Sequence, residues 1–196
     1  MISMKTIIQA IKLFLIMSVI TGIFYPLLIT ALGQAIFNNK ANGSLIKANG
    51  KIIGSNLLGQ KFTFDRYFLP RPSAIDYNPL PSSGSNLGPT SAVLRDSVLA
   101  RKESLEKANP GSGQAPIDLL FASGSGLDPD ISPEAARFQI DRVAAGRGLD
   151  NEGKKKLIEL VEKHIKQPDF GIFGEPRINV LLLNLALDSV FAGNNQ

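Results

Sequence analysis

Residues 13–39, LFLIMSVITGIFYPLLITALGQAIFNN, hold no charged side chain between Lys12 and Lys40, and the fold turns on how that run is read. As a helix it would rise about 40 Å, against a hydrocarbon core of about 30 Å, enough to span a bilayer with some tilt. Pro26 interrupts the run, which a membrane helix tolerates as a kink. A cleaved signal peptide is the competing reading, with Lys5 and Lys12 as its positive region and Ala31-Leu32-Gly33 as a small-residue cleavage site. Signal cores run to only about 7–15 apolar residues, much shorter than this stretch. The expectation is an uncleaved anchor over 1–39 and one soluble domain over 40–196.

Outward from the anchor, Lys5 and Lys12 lie on one side and Lys40, Lys47 and Lys51 on the other, so counting basic residues does not orient the span. The last three read as a solvated linker, with a basic patch facing anionic lipid as the alternative. Over most of the chain Lys and Arg alternate with Asp and Glu, and the formal charge of +4 is mild, so nucleic acid is not implied. Absence of cysteine rules out disulfide staples and thiolate metal sites.

Asn38–Asn42 reads as the polar exit from the bilayer. Ile52, Ile53, Leu57 and Leu58 around Gly54 and Gly59 predict one or two strands with a turn, and residues 71–81 are proline-rich and extended. Thr90 or Ser91 can cap a helix to about Ala108, with Val93, Leu94, Val98, Leu99 and Leu105 as its apolar face. Asn109–Gly113 predicts a turn or mobile loop, and Ile117–Phe121 a short strand. Ser132-Pro133-Glu134 starts a second helix whose apolar face is Ala136, Ile140, Val143 and Ala144, ended by Gly146 and Gly148. Asp150 can cap a third, with Leu157, Leu160, Val161 and Ile165 inward. Ile178–Leu183 predicts a strand turning helical near Asn184. The sum is an α+β domain of about three helices and a few short strands behind a single amino-terminal transmembrane helix.

Two loops share the pattern Ser-Gly-Ser-x-Leu-x-Pro, at 83–89 and 123–129, each followed by a helix start. Glycine opens backbone angles closed to other residues and proline fixes the exit, so the pair reads as a rigid loop surface of Ser83, Ser85, Asn86, Ser123, Ser125 and Asp128. Arg71, read as exposed on a proline-rigidified strand, is the cation expected to meet a partner. Chemistry is otherwise sparse. The lone His164 sits on a Lys-rich helix and makes no triad. Neither loop ends in the Lys-Ser/Thr of a phosphate loop. Asp128 and Asp130 lack the rest of a calcium-binding pattern, so turn or capping duty is the reading for them, and no metal is expected.

The motifs together resemble a family: the C subunit of the Kdp-type high-affinity potassium-transporting P-type ATPase. The residues that carry the resemblance include Gly59-Gln60, Tyr67-Phe68, Arg71-Pro72-Ser73-Ala74, Tyr77-Asn78, both Ser-Gly-Ser loops, Ile131-Ser132-Pro133, Gln139, Arg142-Val143-Ala144 and Asn179-Val180-Leu181. One departure stands out, since the family usually has histidine where this chain has Asp130. The resemblance implies a non-catalytic accessory subunit in the bacterial inner membrane, working beside a channel-like potassium-binding subunit and an ATP-hydrolysing subunit. ATP and potassium are then handled by the complex, with no cofactor of the chain's own. It also implies two rival roles. In one the subunit is a catalytic chaperone that raises ATP affinity, with Ser123 and Gln139 as candidate nucleotide contacts. In the other it is a scaffold or filter over the potassium entrance, with the amino terminus cytoplasmic and the soluble domain outside. The second is the expectation. A membrane-anchored binding module unrelated to transport is the alternative outside the family.

Overall fold

The computed structural model describes residues 3–48 and 50–191. By internal packing they fall into two compact units, Met1–Leu45 and Ile46–Gln196.

The first unit is helical almost throughout. Helix α1 (Met4–Val19) passes through a single π-helical turn (Ile20–Phe24) into α2 (Tyr25–Ala41). The π turn lies just before Pro26, whose missing N–H and ring would otherwise disrupt a regular α ladder at residue 22. The 38-residue run, with mean hydropathy 2.2 in its most apolar window, is long and apolar enough to cross a membrane. Asn38, expected to begin the polar exit, is still helical. A ladder of amides completes that end, with Asn38 Nδ2 donating to Gln34 Oε1 at 2.9 Å and Asn42 Nδ2 to the Asn38 carbonyl at 2.8 Å.

In the second unit, β1 (Leu45–Ala48) and β2 (Lys51–Ser55) pair in a two-stranded ribbon. An irregular stretch leads to α3 (Ala92–Ala108), capped by the Ser91 hydroxyl. Then follow the one-turn α4 (Ile117–Leu120), β3 (Asp130–Ile131), α5 (Pro133–Gly146), α6 (Asn151–Lys163), β4 (Ile178–Asn179) and α7 (Val180–Val190). β3 and β4 pair antiparallel, Asp130 opposite Asn179 and Ile131 opposite Ile178.

The core forms where α5, α6 and α7 meet: Ala136, Val143, Leu157, Val161, Leu183 and Leu187 are all buried. Each large aliphatic side chain removed from water there contributes about 1.5–3 kcal/mol. Both helix starts read from sequence hold, with Ser132 Oγ accepting from Ala135 N at 3.0 Å and Asp150 Oδ1 from Gly153 N at 2.7 Å. Gly148 at φ +61° follows the end of α5.

Four expectations need correction. Residues 117–120 are a helical turn, because Pro116 is extended just before it and Asp118, in its first turn, accepts from Ser132 N at 2.8 Å. The strand expected over 178–183 stops after Asn179, whose side chain accepts from Leu182 N at 3.1 Å and starts α7 at once. Val93 and Leu99 face away from the core, and α3 packs through Val98 and Leu105 instead. Asn109, at the start of the expected turn or mobile loop, is buried, with its Nδ2 donating to the Leu105 carbonyl at 2.8 Å.

Candidate functional site

The two Ser-Gly-Ser loops lie against each other. Ser82 Oγ donates to the Ser125 carbonyl at 2.9 Å. A Cβ on Gly84 would sit 2.7 Å from the Gly124 carbonyl oxygen, and one on Gly126 2.9 Å from that of Ser83 and 2.5 Å from Ile75 Cγ1. Backbone meets backbone at a distance that admits no side chain, and Gly126 also has φ +71°. This is why Gly84 and Gly126 must be glycine, whereas a Cβ on Gly124 would meet nothing within 4 Å.

The proline-rich segment ties in from the other side. The Pro72 carbonyl accepts from Ser123 N at 3.0 Å, and Gly59 N donates to the Leu127 carbonyl at 2.8 Å. Ser73 Oγ accepts from Ile75 N and Tyr77 N at 3.2 and 2.9 Å, and Tyr77 Oη returns to donate to the Arg71 carbonyl at 2.6 Å. Burial, and then the Asp76 carboxylate, push the Tyr77 phenol up to about 12, against a weaker pull from Arg101.

Arg71 is half-buried and outside any strand, with Nη1 donating to Asp128 Oδ2 at 2.9 Å. Asp128 spends its other oxygen on Asp130 N at 3.0 Å. Asp130 lies 3.4 Å from Arg177 Nε and accepts from Asn179 Nδ2 at 3.2 Å. Burial, then the neighbouring Asp128 charge, raise the Asp130 carboxyl above its usual range, against the pull of Asn179, Arg177 and Lys166. Ser85, Asn86 and Ser125 are exposed, Ser83 is half-buried, and Ser123 is buried.

Gln139, the other candidate nucleotide contact, has no exposed surface. Its Oε1 accepts from Leu69 N and Arg142 Nη2, both at 2.7 Å, and its Nε2 donates to the carbonyls of Leu69 and Ala135 at 3.2 and 3.1 Å. It belongs to a polar hub that sequence reading missed. Arg142 donates to the carbonyls of Asp65 and Tyr67 at 2.7 and 3.1 Å. Arg147 Nε donates to that of Arg66 at 2.9 Å. Asn184 clasps both the N–H and the carbonyl of Phe68, at 2.9 and 3.0 Å. Side chains of α5 and α7, with Arg147 just past α5, thus satisfy a backbone stretch that has no strand partner. Two signals could have revealed it: an amide and a guanidinium among the alanines of the buried face of α5, and one Asn inside the otherwise apolar run Val180–Leu187 of α7.

The profile of the family described as "K+-transporting ATPase, c chain" (KdpC) matches residues 7–189. The chain belongs to this family. It is 49% identical over 200 residues to the potassium-transporting ATPase KdpC subunit of Rhodopseudomonas palustris strain BisB18, covering 95% of this chain and 98% of the relative. The KdpC subunit of Methylococcus capsulatus strain Bath is 49% identical over 185 residues, covering 92% and 96%. That of Paraburkholderia phymatum is 46% identical over 188 residues, covering 93% and 96%. In this KdpC-family chain the paired loops expose Ser85, Asn86 and Ser125, and the Arg71–Asp128 bridge ties the second loop to the proline-rich segment. Among the described residues no group of three or more His, Cys, Asp or Glu side chains could hold a metal ion.

Proposed function

We propose that this chain is the accessory, non-catalytic subunit of an ATP-driven potassium pump in the bacterial inner membrane. Its helix anchors it, and its soluble unit lies outside, over the potassium entrance, docking through the paired loops. The observation that carries the reading is the backbone-to-backbone seating of Gly84 on Gly124, which fixes a shape and leaves Ser85, Asn86 and Ser125 to meet the channel-like subunit. Arg71 acts by bracing that surface through Asp128. A preformed surface loses little conformational freedom on docking, which suits permanent assembly.

The effect on ATP use by the hydrolysing subunit is then a coupling across the complex, reciprocal between the two sites. Burial of Ser123 and Gln139 supports coupling over direct nucleotide contact, since reaching ATP would require Gln139 to release Leu69.

Sidedness tests this reading. The chain has no cysteine, so Ser112→Cys provides a single thiol for a membrane-impermeant maleimide on intact cells. Labelling is expected. Protection until the membrane is opened, in a variant that still assembles, would place the domain inside and return direct nucleotide contact to first place.

A further inference from the structure

The ribbon of β1 and β2 keeps apolar side chains in solvent that the described residues do not cover. Two strands alone are marginal in water and need a third strand or a covering layer. The end of β2 packs on the soluble unit, where a Cβ on Gly54 would meet Leu181 and Ser55 is buried, but among the described residues no third strand joins the pair, and Ile52 at 60% and Leu45 at 46% remain exposed. Ile52 and Ile53 point to opposite faces and both are exposed, and just past β2 Leu57, at 53%, and Leu58 extend the apolar surface.

Its charge has one sign. No acidic residue precedes Asp65 in the sequence, while Lys40, Lys47 and Lys51 lie in and just before the ribbon. Among the described residues none of these lysines has an ion-pair partner, although most acidic side chains of the second unit are paired. Continuity supplies the remaining argument. The membrane-long helix ends at Ala41 and β1 begins at Leu45, a separation of four residues that spans at most about 14 Å. The ribbon is therefore held within reach of the headgroup layer whichever subunits the domain meets.

From this the geometry points to a second membrane contact: the ribbon lies in the headgroup region of an anionic phospholipid bilayer, with Leu45, Ile52 and Leu57 inserted and Lys47 and Lys51 on lipid phosphates. Interfacial elements of this composition sit about 5–10 Å into the headgroup and acyl boundary, and their lysines reach back to the charged layer. Such a contact would fix the tilt of the soluble unit against the bilayer.

The test uses the full chain in vesicles of equal parts phosphatidylcholine and phosphatidylglycerol. Single cysteines at Ala48, at Glu103 on α3 and at Leu28 in the span carry an environment-sensitive fluorophore. A probe at Ala48 leaves Leu45, Ile46, Ile52 and Ile53 of the ribbon in place. With lipids spin-labelled near the headgroup, the Ala48 probe should be quenched and the Glu103 probe should not. Ile52→Asp with Leu57→Asp should abolish quenching at Ala48 without unfolding the chain, because both side chains are exposed, and replacing phosphatidylglycerol with phosphatidylcholine should weaken it. An Ala48 probe as bright as that at Glu103, while Leu28 responds to deep quenchers, overturns the proposal. So does quenching that disappears in the assembled pump, since a protein partner would then cover the ribbon. Neither result bears on the paired loops, so this inference and the docking role fail separately.

Discussion

Gln139 occupies a core position and uses both ends of its amide on partners that have no other strand to turn to. Gln139→Leu should keep the volume nearly constant but leave the Leu69 N–H and carbonyl buried without partners, at about 1–3 kcal/mol for each group. Urea or thermal unfolding should move to a lower midpoint. Below that transition the ATP response of the assembled pump should be unchanged, whereas a lost ATP response in a folded variant would revive the nucleotide role. Tyr77 makes a pH prediction. With its phenol pushed up to about 12, the folded state keeps a proton that the unfolded chain gives up near 10. The stabilisation is complete below the lower value and declines as pH rises between the two. Ultraviolet titration should show a late-ionising phenol that is lost in Tyr77→Phe, and the same substitution should flatten the alkaline loss of stability while removing the bond to the Arg71 carbonyl.

At the scale of elements, α5 depends on Ser132 to satisfy the N–H of Ala135, and Ser132→Ala should cost about 1 kcal/mol in thermal unfolding. That start was legible in sequence, as were the cap at Asp150 and the inward Leu157 and Val161, because capping and helical periodicity are local. Residues 117–121 and 178–183 misled for one shared reason: short apolar runs fit a buried strand and a buried helix equally well by pattern alone. What decided them were side-chain bonds, Asp118 to Ser132 and Asn179 to Leu182. The loops could be recognised as a repeated motif, but their seating on one another joins residues some forty positions apart. The hub was least legible, since its ligands are main-chain atoms that have no letter in a sequence.

For the whole molecule, the paired loops predict how assembly should fail. Bulky replacements at exposed Ser85 or Ser125, such as Trp, should leave the melting temperature of the chain nearly unchanged but reduce co-purification with the other pump subunits. Unaltered co-purification would remove these loops from the interface. The hub that clasps residues 65–69 has a different consequence. Because α5 and α7 grip carbonyls and N–H groups at fixed intervals, this coil is constrained in length more than in composition. Substitution at exposed Asp65 or Arg66 should be absorbed, whereas one residue inserted or deleted between Asp65 and Leu69 would put each peptide group opposite the wrong helix side chain.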